Sequence, residues 1–380
     1  MMKPNLNIYQ VFVRNYSKKG TLQALEKDLT RIRLLGTDIL YLMPIHEIGI
    51  LERKGTMGSP YAIKDYFSIS SDLGTLDDFK SLIKTAHRLN MRVVMDMVFN
   101  HTSPDNVLTK EHPEYYYYNE NKKRYNRVGD WTDIVDLDTT RPDTQLYLLK
   151  VLKYWKDLGV DGYRFDVAPL VSLEFFKKAR KALGKKVIFI AENTTDEFVK
   201  EMAKKGMKVT ATKDLFPTFD AVYNYGYYKE LIDYAKTGEY KPFIKKLENH
   251  LDSLPKGAIV INALDNHDNT RIAKILYKNP ARFEELLKFM FFIKGWSFIY
   301  MGDEYGIEHL PKLFEKDPVD WNGKDKILFD IYTALLKEKS TSFNGNVVKT
   351  KFKYLDNGQV LVINVDKKNE TQVRTFDFRK

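Results

Sequence analysis

Short apolar runs rich in β-branched residues alternate with longer amphipathic segments along most of this 380-residue chain. The first run, Ile8–Val13, precedes a helix-length segment at 21–36, where Thr21 is a candidate helix cap and Gly36 a candidate helix end. This alternation is typical of repeated βα units, which place parallel strands side by side and bury them beneath helices. The chain is therefore expected to form an α/β fold.

Eight strand-like runs can be counted. They cover residues 8–13, 38–43, 91–99, 159–170, 186–192, 207–212, 257–264 and 295–301, and the sixth is the weakest. Helices are predicted at 21–36, 75–90, 141–159, 172–184, 195–206 and 326–339, and in stretches between 223 and 254. Eight strands that alternate with helices predict a (β/α)8 TIM barrel, an architecture that takes about 250 residues as one domain.

Two segments fall outside this repeat. A polar, tyrosine-rich insertion at about 101–136 follows the third strand, and its run of four tyrosines suits either stacking against a sugar or packing within the insertion. Short β-type runs at 347–355, 359–365 and 375–378 lie around Asn344–Gly345 and Asn357–Gly358 turns. We expect a barrel domain at 1–338 that includes the short insertion, and a small antiparallel β module at 339–380.

Composition excludes several classes of protein. The formal net charge is +10, but Lys and Arg are scattered through helical segments rather than massed in a stripe, which argues against nucleic acid as a partner. The chain has no cysteine, so disulfides and thiolate metal sites are excluded. It shows neither a signal-peptide pattern nor an apolar run long enough to span a bilayer, so no membrane association and a cytoplasmic location are expected.

The stretch "GVDGYRFDVAPL" places charge in a segment that otherwise has the character of a buried strand. Arg164 and Asp166 stand two residues apart, so in an extended chain both side chains point to the same face. A buried ion pair generally fails to repay its desolvation cost, which argues against a purely stabilising role. The pair therefore indicates a functional site at the end of this strand.

Other predicted strands also end in polar residues. Strand three runs through Asp96 to Asn100 and His101, strand five ends at Glu192, and strand seven leads into His267–Asp268. Active sites of such barrels form at the carboxyl ends of the strands, where these side chains would converge.

Two carboxylates about 5–5.5 Å apart are the apparatus of a retaining glycosidase, in which one is the nucleophile and the other the general acid and base. A guanidinium beside the nucleophile would stabilise its ionised form, so we expect Arg164 to hold the pKa of Asp166 down.

The segments "DMVFNH", "GYRFDVA", "IAEN" and "LDNHD", in this order, resemble the four signature regions of the α-amylase family, family 13 of the glycoside hydrolases. The resemblance extends from "IYQVFVRNYS" through "SPYAIKDYFSI" to "FIYMGDEYG", which is most of the chain. It implies that Asp166 is the nucleophile, Glu192 the acid/base, and Asp268 a third carboxylate that stabilises the transition state.

The resemblance also implies binding roles for side chains around the carboxylates. The implied substrate-binding residues are Tyr61, His101, Arg164 and His267, with Asp96 supporting Arg164. Many family members carry a Lys-His pair soon after the nucleophile, where this chain has Ala168, Pro169 and Leu170, so few hydrogen bonds are expected on the leaving-group side.

No cofactor and no required metal are predicted. Asn100 matches a residue that often binds structural calcium in the family, but we identify no acidic partners for the six to eight oxygen ligands that calcium takes.

The sequence thus predicts a retaining glycoside hydrolase that cleaves α-glucosidic bonds, α-1,4 bonds above all, in malto-oligosaccharides. Three alternatives stay open: a 4-α-glucanotransferase with the same residues, a non-catalytic glucan-binding protein, and a metal-dependent hydrolase on a similar barrel. The expected partner is an α-glucan oligosaccharide, and the oligomeric state is not predicted.

Overall fold

A computed structural model describes residues 5–120, 123–129, 131–194, 196–276, 278–341 and 347–379. Eight parallel strands close into a barrel in the order β1-β8-β7-β6-β5-β4-β3-β2. The strands are β1 (Asn7–Val11), β2 (Ile39–Leu42), β3 (Arg92–Met97), β4 (Gly162–Phe165), β5 (Ile188–Ala191), β6 (Ala221–Tyr223), β7 (Val260–Asn262) and β8 (Trp296–Tyr300). The predicted (β/α)8 barrel is confirmed.

Helices surround the barrel and bury its strands. The α-helices span Val13–Tyr16, Leu22–Glu26, Leu29–Leu34, Leu76–Arg88, Val107–Glu111, Pro142–Asp157, Leu173–Leu183, Asp196–Lys204, Thr212–Leu215, Tyr228–Thr237, Tyr240–Ser253, Ile272–Leu276, Pro280–Phe292 and Lys326–Thr341. The predicted cap at Thr75 is confirmed, because it exchanges hydrogen bonds with Asp78 in a capping box. None of the helices in the described ranges has the length and apolar character needed to cross a membrane.

The prediction of a single helix at 21–36 is wrong, because two short helices occupy this segment. Asp28 lies between them with φ −103° and ψ 1°, outside the helical region. Its carboxylate accepts hydrogen bonds from the Tyr16 hydroxyl and from Arg31 Nε. These contacts hold the chain in a turn where the sequence pattern alone continues the helix.

The sixth strand is also misplaced in the sequence prediction. Residues 207–212 do not enter the barrel, and β6 begins at Ala221 instead. Met207 and Val209 pack against a small apolar cluster formed by Val128, Val167, Leu170 and Met202. The apolar side chains that suggested a strand therefore cover a surface cluster beside the insertion.

The C-terminal part forms an antiparallel sheet of β9 (Lys349–Tyr354), β10 (Val360–Val365) and β11 (Thr371–Phe376), as predicted, although β11 begins four residues before the predicted run. The Asn357–Gly358 turn joins β9 to β10, whereas the predicted Asn344–Gly345 turn lies outside the described residues. The sheet packs on the barrel through contacts such as Phe376 against Phe289, with ring centroids 5.4 Å apart.

The insertion after β3 contains two short strand pairs, His101–Thr102 with Val135–Asp136 and Tyr118–Asn119 with Arg124–Tyr125, and a 3-10 turn at Pro113–Tyr115. Tyr115 and Tyr116 are buried, and the Tyr116 ring lies 5.2 Å from that of Tyr125. These contacts favour the packing interpretation for that part of the tyrosine run.

Candidate active site

The carboxyl ends of neighbouring strands bring the predicted charged side chains together. Because β3, β4 and β5 are parallel neighbours, Arg164 on β4 lies in register with Asp96 on β3, and Phe165 with Ala191 on β5. Asp166 and Glu192 directly follow the two members of the Phe165–Ala191 pair. Close approach of β4 to β5 requires Gly162, since a Cβ there would lie 2.4 Å from the Ile188 Cβ.

Arg164 is the hub of this site and its side chain is fully buried. Its Nη1 donates to both oxygens of Asp96, at 2.8 and 3.0 Å, and to Asp166 Oδ1 at 2.9 Å. Its Nη2 lies 2.7 Å from Glu192 Oε1, without the alignment of a hydrogen bond. The predicted Arg164–Asp166 pair is thus part of a cluster in which one guanidinium serves three carboxyl groups.

Backbone and hydroxyl groups fix the carboxyl groups around Arg164. The Tyr41 hydroxyl donates to Asp96 Oδ2 at 2.6 Å, and the Val167 amide donates to Glu192 Oε2 at 2.8 Å. Val167 adopts a left-handed conformation with φ 39° and ψ 46°. That conformation is strained for a β-branched residue, and strain of this kind, about 1–3 kcal/mol, clusters at functional sites.

Arg164 lowers the pKa of Asp166, as expected, but other causes outweigh it. Burial raises the pKa of Asp166 well above its ordinary value, Glu192 raises it further, and Arg164 opposes them only in part. Burial also raises the pKa of Glu192, which Arg164 lowers and Asp268 raises. A single guanidinium leaves this cluster with excess negative charge, so Asp166 and Glu192 favour holding one proton between them.

Two neutral imidazoles lie beside the carboxylates. His267 Nε2 is 2.6 Å from the Tyr61 hydroxyl, and the two rings stack with centroids 5.4 Å apart. His101 lies 5.6 Å from the Trp131 ring, in an edge-on arrangement. Burial lowers the pKa of His267, and that of His101 to about 4, so both rings are uncharged at neutral pH and suited to hydrogen bonding.

These side chains surround a cavity of about 300 Å³. It is lined by Lys54, Ser59, Tyr61, His101, Trp131, Asp133, Ile134, Asp166, Val167, Glu192, Thr194, Phe198, His267, Asp268, Leu313 and Phe314. Every predicted catalytic and substrate-binding residue lines it except Arg164, which lies beneath the carboxylates together with its supporting residue Asp96. Asp268 is the most open of the three carboxylates, with half of its side chain exposed.

Sequence reasoning missed the remaining lining residues, which include Lys54, Trp131, Asp133, Phe198 and Phe314. They belong to the segments that follow β2, β3, β5 and β8 at the carboxyl end of the barrel. Their position after barrel strands is a usable signal, because loops at this end build the site in such folds.

A larger groove of about 1130 Å³ continues from this cavity. It shares Glu192, Thr194, Phe198 and Asp268 with the cavity, but Asp166 does not line it. Polar side chains from the segments after β5, β6 and β7 line the groove, among them Lys213, Tyr228, Asn249 and His250. Few hydrogen bonds were expected on the leaving-group side from Ala168–Leu170 alone. The polar side chains of these other segments were not part of that expectation.

A calcium site is not assembled around Asn100. The Asn100 amide contacts His101 Nδ1 at 3.2 Å, and the buried Asp136 carboxylate accepts a hydrogen bond from the Val128 amide at 3.0 Å. Over the described ranges, no group of three or more His, Asp or Glu side chains is placed to hold a metal ion. The residues present do not fit the oxygen-rich shell of calcium.

Replacement of Arg164 by Met is expected to lower the free energy of unfolding by roughly 3–5 kcal/mol at pH 7, because it leaves buried carboxylates without a counter-charge. The deficit should shrink as the pH falls, since protonation removes the uncompensated charge. Urea unfolding at pH 7 and pH 5 measures both effects. Lys177→Met, which breaks the exposed pair with Glu174, is the control and should cost under about 1 kcal/mol. An Arg164→Met variant as stable as wild type would contradict this account.

The closed barrel and its cluster of carboxylates define a class of barrel proteins with a charged site at the carboxyl ends of the strands, and sequence comparison identifies the family. The family model described as the alpha amylase catalytic domain matches residues 10–125 and 104–357. The chain therefore belongs to the α-amylase family.

Similar solved structures share both sequence and fold with this chain. An alpha-amylase from Lactobacillus plantarum is 38% identical with a TM-score of 0.88, over 95% of this chain and 85% of that one. A noncanonic maltogenic alpha-amylase from Thermotoga neapolitana is 32% identical with a TM-score of 0.87, over 99% of this chain and 86% of that one.

Curated relatives are longer proteins. A cyclomaltodextrinase from a Bacillus species is 26% identical over 84% of this chain and 58% of its own length. An intracellular maltogenic amylase from Bacillus subtilis is 28% identical over 79% of this chain and 50% of its own length. The chain thus spans little more than half the length of these relatives.

Proposed function

We propose that the protein is a retaining glycoside hydrolase that cleaves α-glucosidic bonds, chiefly α-1,4 bonds of malto-oligosaccharides. The observation that carries the proposal is that Asp166, Glu192 and Asp268, which follow three different barrel strands, line one cavity. Asp166 and Glu192 contact the two terminal nitrogens of one guanidinium. Two carboxyl groups on one guanidinium suit a retaining mechanism, in which one is the nucleophile and the other the general acid and base.

In the first step, Glu192 donates its proton to the glycosidic oxygen while Asp166 attacks the anomeric carbon. The bond from that carbon to the leaving oxygen breaks, and a covalent glycosyl ester forms on Asp166. We place the shared proton on Glu192 because Arg164 makes an aligned hydrogen bond to Asp166 and an unaligned contact to Glu192. In the second step, Glu192 takes a proton from water, which attacks the same carbon and releases Asp166.

The neighbouring side chains hold the reacting sugar. Asp268, with its half-exposed carboxylate, accepts hydrogen bonds from sugar hydroxyls and stabilises positive charge on the ring in the transition state. The neutral rings of His101 and His267 hydrogen-bond other hydroxyls, and Tyr61 presents an aromatic face to the sugar. No cofactor takes part in these steps.

The leaving group lies in the larger groove. The sugar attacked by Asp166 must occupy the smaller cavity, because Asp166 lines the cavity and not the groove. The oxygen protonated by Glu192 stands where the two spaces meet, since Glu192 lines both. The polar groove can therefore bind several leaving-group sugars.

The same groove favours a second candidate, a 4-α-glucanotransferase. A sugar bound there after the first product leaves would lie beside Glu192 and could replace water as the acceptor. A non-catalytic glucan-binding role fits less well, because it gives no reason to bury three carboxyl groups around Arg164 at a desolvation cost.

Product analysis tests the proposal directly. Maltose, maltotriose, starch, sucrose and trehalose should be incubated with the protein, with and without added glucose as acceptor, and the products separated by mass. Hydrolysis of the maltodextrins to shorter sugars is expected. Products longer than the substrate would favour the transferase, and no reaction with any of the five would refute both.

The pH dependence of kcat/KM is expected to be bell-shaped, with both limbs above the ordinary carboxyl pKa values of about 4. Activity is lost at low pH when both Asp166 and Glu192 are protonated, and at high pH when Glu192 loses its proton. Burial raises the pKa of each group, so both losses move to higher pH.

A steady-state pH profile on maltotriose measures this shift. The pH profile of the first step with α-glucosyl fluoride serves as the control. Fluoride leaves without being protonated, so the loss of activity at high pH should be smaller. If kcat/KM on maltotriose already fell as the pH rose above about 4, this would contradict the raised pKa of Glu192.

The cytoplasm is the proposed location. A Bacillus subtilis relative bears the name intracellular maltogenic amylase, which supports this part of the proposal.

A further inference from the structure

Three segments of the chain meet at one part of the cavity wall. Lys54 follows β2, Asp133 belongs to the insertion after β3, and Phe314 follows β8. Lys54 Nζ lies 2.8 Å from Asp133 Oδ1 and 5.8 Å from the centre of the Phe314 ring. All three residues line the cavity, and none of them lines the leaving-group groove. We call Lys54, Asp133 and Phe314 the end wall.

The backbone around the end wall is fixed by further contacts. The Met57 amide donates to the Phe314 carbonyl at 3.0 Å, and Arg14 Nη1 donates to the carbonyls of Gly58 and Leu313 at 2.9 and 3.2 Å. Gly55 has φ +62°, and a Cβ there would lie 2.7 Å from the Phe314 Cβ. The segments after β2 and β8 therefore pack backbone to backbone.

The Lys54–Asp133 contact joins the insertion to this unit. Asp133 is 4% exposed and Lys54 retains about a third of its side-chain exposure. A largely buried carboxylate is costly unless it is paired, so the contact with Lys54 stabilises the insertion against the segment after β2.

We propose that the end wall closes the cavity beyond the reacting sugar, so that the enzyme cleaves only from the non-reducing end of a chain and releases a short product of fixed length. This inference rests on the proposed function. The anomeric carbon of the bound sugar faces the groove, so an α-1,4 chain would continue from its O4 on the opposite side. A cavity of about 300 Å³ is at the small end for ligand sites, which holds the product to few sugars.

A pair of maltoheptaosides tests the proposal, one free and one carrying a 4,6-O-ethylidene group on its non-reducing terminal sugar, with the cleavage products separated by mass. The wild-type protein should cleave the free substrate about 100-fold faster, since a pocket that cannot accommodate added carbons discriminates by this order. Reduced maltoheptaose should yield one short product at the earliest times.

We expect Lys54→Ala and Asp133→Ala each to open the end wall. The free substrate should then be cleaved no more than about 10-fold faster than the blocked one, and the products should vary in length. Lys177→Ala removes the lysine of an equally short pair, with Glu174, on the outer helix Leu173–Leu183 and should leave the ratio unchanged. The charge-swapped double variant Lys54→Asp/Asp133→Lys should restore discrimination.

Equal cleavage of the free and blocked substrates by the wild-type protein would overturn the inference and leave the proposed function intact. Wild-type discrimination that persists in correctly folded Lys54→Ala and Asp133→Ala variants would overturn the role of the end wall. Failure to cleave the free substrate would instead refute the proposed function. If both variants misfold, the wild-type ratio still decides whether the cavity is closed.

Discussion

Asp166→Asn is expected to lower kcat/KM on maltotriose about 10⁴–10⁶-fold, because the covalent step has no nucleophile without the carboxylate. The loss should be as large on α-glucosyl fluoride, since a better leaving group does not supply the missing nucleophile. Asn keeps the size of the side chain, and Oδ1 can still accept from Arg164 Nη1, so the fold should persist.

Added azide provides the decisive readout for this variant. Azide is no longer repelled by a carboxylate at position 166 and can attack the anomeric carbon directly, which should restore turnover with inverted configuration. Asp220→Asn, which alters a carboxylate paired with Arg180 outside the cavity, is the control and should retain activity. Wild-type rates for Asp166→Asn would exclude Asp166 as the nucleophile.

Glu192→Gln is expected to lower kcat/KM on maltotriose about 10²–10⁴-fold, the usual contribution of a general acid. Gln cannot donate a proton to the glycosidic oxygen, although it can still accept a hydrogen bond from the Val167 amide. The first step with α-glucosyl fluoride should be largely retained. Rapid-quench measurement of fluoride release separates that step from the slow hydrolysis of the intermediate.

The contrast between the two substrates distinguishes Glu192 from Asp166. A Glu192→Gln variant that turns over maltotriose at the wild-type rate would exclude the acid/base role. Equal losses on maltotriose and on the fluoride step would point to a structural role for Glu192.

Much of the barrel could be predicted from the sequence, and so could the carboxylates at the carboxyl ends of its strands. The alternation of strand and helix patterns fixes the direction of each strand, and parallel strands of a barrel carry their carboxyl ends to one face. Asp166, Glu192 and Asp268 follow three such strands, so their convergence on one cavity could be predicted without knowledge of the distances.

Features that depend on contacts between distant segments could not be predicted. The run at 207–212 has the composition of a strand, yet its apolar side chains cover the cluster around Val167. The end wall joins Lys54, Asp133 and Phe314, which are widely separated in sequence and carry no shared pattern. Tertiary packing decides both cases.

The net pKa shift of Asp166 could not be predicted from the sequence for a similar reason. Their spacing along a strand shows that they lie together, but it shows neither the depth of burial nor the second and third carboxyl groups on the same guanidinium. Burial raises the pKa of Asp166 by more than Arg164 lowers it. The depth of that burial is visible only in the folded structure.

Trapping of the covalent intermediate tests the central claim most directly. The protein should be incubated with 5-fluoro-α-glucosyl fluoride, whose ring fluorine slows the second step, and then digested and mapped by mass spectrometry. The account predicts one added fluoroglucosyl group, carried by Asp166 within the segment Gly162–Ala168. A label on any other residue, or full turnover through an inverted product with no labelled protein, would contradict it.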